Sequence, residues 1–158
     1  MTPALRRALV FPFILSLGLM AGFFFAWSFS GANGLARVPA AVYVEAMQAI
    51  NEAVRNAWFG AAFFGAIPLG ALAVAAGGRA ARPWLAAALA LYLGAFAVTA
   101  LGNVPMNREM ALWDPAAPPV DVAAFLARWT WLNHLRLGLS LAGFALALPA
   151  LWRQEAGR

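Results

Sequence analysis

The sequence predicts an all-α integral membrane protein, a four-helix bundle with an additional amphipathic surface helix. Hydrophobic residues make up 64% of the 158-residue chain and charged residues only 11%, against roughly 25% charged in an ordinary soluble domain. A water-soluble fold of this size would expose much of that apolar surface, so the bilayer is the better solvent. The apolar residues also gather into four runs of spanning length, at about 9–30, 58–76, 84–102 and 133–152. An amphipathic segment at about 40–57 stands between the first two. A single transmembrane domain over residues 1–158 accounts for the length.

The charge pattern narrows the function classes. The net charge of +5 comes from eleven arginines scattered singly and in pairs, without the clustered stripe that nucleic-acid binding needs, so no nucleic acid is expected as partner. The absence of cysteine excludes disulfides, a thiolate nucleophile and iron–sulfur ligation. With one histidine, a protein-borne metal site would need carboxylates, amides or a second subunit. No metal and no cofactor is therefore expected, and the oligomeric state stays open.

In chain order, Arg6 and Arg7 precede an apolar run too long for a signal peptide and without a small-x-small cleavage site after it, so the run reads as a retained span. Gly18, Gly22, Ala26 and Ser30 recur every four residues, a small face predicted to admit a close neighbouring helix. Glycines, Asn33 and Pro39 then break the helix. Next, Tyr43, Met47, Ile50, Val54 and Trp58 form an apolar stripe opposite Glu45, Gln48, Glu52 and Asn56, which predicts a surface helix running into the second span. Asn51 lies only about 40° from that stripe's axis, so it either hydrogen-bonds a neighbouring helix or faces a pocket.

In the second span Ala61 and Gly65 offer another small face, and Pro68 is tolerated as a kink. A turn with Arg79 and Arg82 leads to the third span, whose polar groups, Tyr92 and Thr99, suggest no chemistry. Pro115, Pro118 and Pro119 interrupt the following loop. Asp121 is expected to cap the next helix through its carboxylate. That helix continues through Trp129 and His134 into the fourth span. Four spans place Arg6, Arg7, Arg79, Arg82, Arg153 and Arg158 on one side; the opposite side has more arginines than the rule prefers, but also carries Glu45, Glu52, Glu109, Asp114 and Asp121. Positive-inside counting then puts both termini in the cytoplasm, with the bacterial inner membrane as the expected location.

The segment 103–136 holds both aspartates, the one histidine and three asparagines. On a wheel of about 100° per residue, Trp129, Asn133, Arg136 and Ser140 share a face, whereas His134 and Trp131 point elsewhere. Arg136 lies just inside an apolar run, where a charge snorkels, pairs with a carboxylate, or anchors an anionic or enolate-like oxygen. Asn103 and Asn107, four apart around Pro105, present amides in one direction in a helix or serve as turn residues. His134 is a candidate general base or a hydrogen-bonded structural residue. Trp113, Trp129 and Trp131 form aromatic walls or interfacial anchors, the anchor reading being strongest for Trp131.

With NVPMN at Asn103 to Asn107, W-x-x-x-N-x-x-R at Trp129, Asn133 and Arg136, and MQAIN at Met47 to Asn51, the chain resembles the DUF1772 membrane family, which includes anthrone oxygenases. The resemblance covers nearly the whole chain in order and spacing. It implies a four-span bundle and, in polyketide pathways, oxidation of an anthrone to an anthraquinone with O2 as co-substrate and without an evident flavin or haem. The implied site comprises Gln48, Asn51, Asn103, Asn107 and Trp129 for binding a small hydrophobic or aromatic molecule, and Asn133, Arg136 and His134 for catalysis. The reading of a membrane oxygenase thus stands beside one of another class, a non-enzymatic protein of the lipid bilayer that binds a quinone-like ligand or acts as an assembly partner. Substrate-dependent O2 uptake separates the first from ligand-induced stabilisation without turnover.

Overall fold

The structure, a computed structural model, describes residues 1–154; Arg158, expected beside the other terminal arginines, lies outside them. Five helices follow in order: α1 (Pro3–Leu35), α2 (Ala40–Ala53), α3 (Ala57–Ala76), α4 (Arg82–Met110) and α5 (Val122–Ala147), the last tightening into a 3-10 stretch at Leu148–Gln154. Apart from α2, all are long and apolar enough to cross a membrane. Their outward faces carry exposed Leu15, Leu19, Phe25, Phe64, Leu72, Leu93 and Leu141, side chains that lipid accommodates and water does not. The protein is an integral membrane four-helix bundle with a fifth helix, α2, laid across one end.

Local chemistry sets the ends. Thr2 caps α1 by accepting from the Leu5 N–H at 3.3 Å, with Pro3 in the first turn where its missing N–H costs nothing. Asn56 caps α3 in the same way, accepting from the Phe59 N–H at 3.0 Å. This cap restarts the chain after Ala53, so α2 and α3 are separate and Trp58 leaves the α2 stripe to stand 88% exposed. Asp121 occupies the position before α5, yet its carboxylate makes no capping bond. Only its carbonyl joins the helix, accepting from the Phe125 N–H.

Around the bundle α1 packs on α3 and α5, and α4 packs on α3 and α5. Small residues set the spacing, though not all those expected. A Cβ on Gly70 would meet Phe13 of α1 and Leu89 of α4 at under 3 Å, and one on Gly143 would lie 3.1 Å from the Ala88 carbonyl. Gly18 approaches Phe144 of α5, whereas Gly22, Ala26 and Ser30 face outward, so the four-residue small face of α1 is only partly a packing face.

Two spans widen into π-helical turns, at Trp27–Gly31 in α1 and Thr99–Asn103 in α4. In α4 the Val104 N–H reaches back five residues to the Thr99 carbonyl, just before Pro105, which has no N–H to give. Both wide turns lie at the end of the bundle that α2 covers, remote from the termini. There Tyr43, Val44 and Met47 of α2 are buried with Met106, Met110, Val122 and Trp129 as a second apolar cluster, separate from the main core.

Candidate functional site

Among the described residues Arg136 is the one buried cation, 6% exposed inside a spanning helix. Such a charge is costly without compensation. The compensation comes from neutral groups: Nη2 donates to Asn133 Oδ1 at 2.6 Å and Nη1 to Thr99 Oγ1 at 3.5 Å. The guanidinium carbon also lies 4.5 Å from the Phe24 ring centre and 5.3 Å from that of Trp129, within cation–π range. Among the described residues no carboxylate pairs with it, and its Nε has no partner. The positive charge is thus held in place without being neutralised.

The groups around Arg136 are themselves fixed. Asn133 is fully buried and donates both amide hydrogens, to the Phe24 carbonyl at 3.0 Å and to Ser28 Oγ at 2.8 Å. Its oxygen is therefore the only amide atom left for Arg136. Ser28 belongs to the wide turn of α1. Thr99, in the wide turn of α4, donates to the Ala95 carbonyl and so keeps its oxygen lone pairs toward the guanidinium. Trp129 donates its indole N–H to Asn107 Oδ1 at 2.8 Å and meets Trp27 edge-on at 5.6 Å. Gly31 makes that pairing possible, because any Cβ there would sit 2.6 Å from the Trp27 ring.

Beside this cluster lies a cavity of about 700 Å³, within the usual size range of small-molecule sites. Trp27, Phe59, Phe63 and Met47 form apolar walls, with Arg136, Thr99, Asn107, Asn51 and Trp129 as inner polar and aromatic groups and Arg55 and Arg108 at the margin. Asn107 uses its oxygen on Trp129, which leaves its two N–H donors for the cavity. Among the described residues no Asp, Glu, His or Tyr lines the space. Its polar groups are therefore mainly donors and cations, a lining that favours a flat, electron-rich or anionic ligand.

The structure distributes the sequence-predicted residues among different roles. Arg136, Trp129, Asn51 and Asn107 line the cavity together. Asn133 lies behind Arg136 and positions it. Asn103 is buried next to Trp129, donating to its carbonyl at 3.4 Å, with its own oxygen unpartnered. Gln48 points to the chain that follows α4, donating to the carbonyls of Met110 and Trp113 at 2.9 Å each. It closes the carbonyl end of α4 and ties α2 down. His134 is exposed on the outer side of α5 with its ring 6.0 Å from Phe29, and it does not line the cavity. Trp131 is likewise exposed, whereas Trp113 packs on Phe125 at 4.6 Å.

Thr99, Ser28, Arg55 and Arg108 join the site without having been singled out by the sequence. An isolated hydroxyl within an apolar run was the available signal for the first two. Among the described residues no three His, Asp or Glu stand together as metal ligands would.

A family model described as anthrone oxygenase matches residues 47–146. The match takes in the second half of α2, all of α3 and α4, and α5 through Leu146, hence every cavity residue except those on α1. No curated protein and no solved structure matches the chain.

Proposed function

The chain belongs to the anthrone oxygenase family, and we propose that it oxidises an anthrone or a related phenolic polyketide to the quinone with O2. The observation that carries this reading is the Arg136 guanidinium, held by neutral groups with no carboxylate partner among the described residues, at the wall of an aromatic cavity. An anthrone has an acidic benzylic C–H, and loss of that proton places negative charge on the carbonyl oxygen. Arg136 and the Asn107 amide supply donors for that oxygen at the inner wall of the cavity. Since the cavity lining offers no carboxylate, imidazole or phenol among the described residues, acidity is raised at the substrate and the proton passes to water at the cavity mouth. His134 takes no part in this scheme.

The enolate then gives one electron to O2, forming a substrate radical and superoxide. Their recombination, with one proton, forms a hydroperoxide at the benzylic carbon. Breaking the O–O bond and the second C–H bond releases water and leaves the new carbonyl. One anthrone and one O2 thus give one quinone and one water. The Trp27, Phe59 and Phe63 walls orient the ring system.

We also place both termini on the cytoplasmic side. Among the described residues Arg6, Arg7, Arg79, Arg82 and Arg153 lie at the end remote from α2, against Arg37, Arg55, Arg108 and Arg128 at the α2 end, and the larger number marks the cytoplasmic side. The cavity then opens toward the outer face of the membrane.

Oxygen consumption by the detergent-purified protein given a simple anthrone, with autoxidation subtracted, tests the reading. Saturable uptake with one quinone formed per O2 is expected. A rate equal to autoxidation, combined with ligand-induced thermal stabilisation, would instead make the protein a binding protein for such molecules.

A further inference from the structure

The cavity carries more positive charge than one enolate oxygen requires. Besides Arg136, Arg55 and Arg108 line it. Both are exposed at its margin, and neither guanidinium makes a hydrogen bond or ion pair among the described residues. Arg55 lies in the break between α2 and α3, and Arg108 lies in the last turn before α4 ends. The acids nearest in sequence do not neutralise them. Glu109, adjacent to Arg108, lines a separate hollow with Asp121 and Arg128, and Glu52 is exposed outside the cavity. Met47, Trp27, Phe59 and Phe63 line the same cavity. The cavity is thus apolar in its walls, cationic at its inner wall and cationic again at its mouth.

Resting on the reading of this cavity as the substrate site, we propose that the substrate is an aromatic carboxylate. Its ring system fills the aromatic walls with the reacting oxygen on Arg136, and its carboxylate lies at the far end between Arg55 and Arg108. A carboxylate is fully ionised at neutral pH and matches the planar fork of an arginine. The same arrangement keeps the charged end of the molecule at the water interface while its rings enter the bilayer. Arg55 and Arg108 are then specificity residues, separate from the group that stabilises the enolate.

The experiment compares anthraquinone-2-carboxylate with its neutral carboxamide, both of them unable to turn over. Each is titrated by isothermal calorimetry into the full-length protein in nonionic micelles at pH 7.5 and low salt. The carboxylate is expected to bind about tenfold more tightly, as two partly exposed ion pairs provide. In the Arg55→Gln, Arg108→Gln double variant the ratio falls to about one, while the carboxamide binds as before. Arg136→Gln weakens both ligands and preserves the ratio, which separates the two layers of the argument. Equal affinities in the wild type, or a ratio that survives in the double variant, overturns the carboxylate assignment and leaves the substrate-site reading standing. Binding of neither ligand overturns both. Loss of the preference in phosphatidylglycerol nanodiscs, with its retention in nonionic micelles, would assign the two arginines to lipid phosphate and also overturn the proposal.

Discussion

At the end of the bundle nearer the termini, Val10, Phe13, Leu17, Ala73, Leu85, Ala88 and Ala147 are buried, and Gly70 admits two neighbouring helices at once. At the end under α2, the same helices open into two π turns, a 700 Å³ cavity and a buried guanidinium. Most of the buried polar atoms without partners among the described residues lie there as well, Asn103 Oδ1, Arg136 Nε, Tyr43 Oη and Ser140 Oγ among them, with Arg6 Nε at the other end. Yet the two ends share helices and therefore share a fold. The contrast teaches that close packing at one end gives a rigid frame on which the other end holds groups that packing alone would exclude. In the membrane, where water offers no help to an orphaned donor, unpaired groups are retained at a cost.

The largest expected effect breaks the two ends apart in opposite directions. Arg136→Gln should lower kcat about 100-fold or more, the usual result of removing an oxyanion donor. Its thermal midpoint in detergent should hold or rise, because a neutral amide is easier to bury than an unpaired charge. Parallel measurement of turnover and melting checks this; a fall in both would make Arg136 part of the frame. The converse substitution is Gly70→Ala, whose Cβ would lie 2.7 Å from Leu89 Cδ1 and 2.8 Å from Phe13 Cε2. It should cost about 1–3 kcal/mol by overpacking and leave the activity per folded molecule unchanged. Lost activity at full folding would show that strain in the frame reaches the cavity.

A smaller effect sharpens where the boundary runs. Gln48 alone gives two hydrogen bonds to the carbonyl end of α4, those of Met110 and Trp113. Gln48→Ala should loosen α2 by about 1–2 kcal/mol, so that α2 amides exchange roughly tenfold faster. The amides of α3 near Gly70 should be unaffected. Equal acceleration in both would mean that α2 unfolds only with the whole bundle.

The same contrast explains what the sequence revealed. Four spans and a surface helix were legible because apolar length and amphipathic period are properties of composition along the chain. The shared face of Trp129, Asn133, Arg136 and Ser140 was legible because α5 is regular there, and all four are buried while His134 and Trp131 are not. What escaped depends on irregular backbone or on distant partners. The π turns that bring Ser28 and Thr99 to Asn133 and Arg136 have no compositional mark. Gln48 stood on the polar side of the wheel, and only the fold shows that the loop after Met110 returns to meet it. Arg55 and Arg108 are 53 residues apart in sequence and come to one cavity mouth only through helix packing.

The smallest prediction concerns Tyr43, on α2 outside the spanning helices. Its side chain is 1% exposed and its hydroxyl has no partner among the described residues. Burial pushes its pKa from 10.0 up to about 12. A pKa raised on folding leaves stability intact below pH 10 and removes it as the pH climbs toward 12, because the unfolded phenol ionises first. Tyr43→Phe should therefore match or exceed the wild type by up to about 1 kcal/mol at pH 8, since no hydrogen bond is lost. At pH 10.5 it should be spared a loss of about 1 kcal/mol that the wild type suffers. Denaturation at the two pH values, both proteins in the same detergent, gives the comparison. A variant less stable than the wild type at pH 8 would show that the hydroxyl is satisfied in the membrane-embedded protein. The cavity end would then owe its stability to the same polar groups that give it its chemistry, and the division between frame and site would have to be drawn beyond α2.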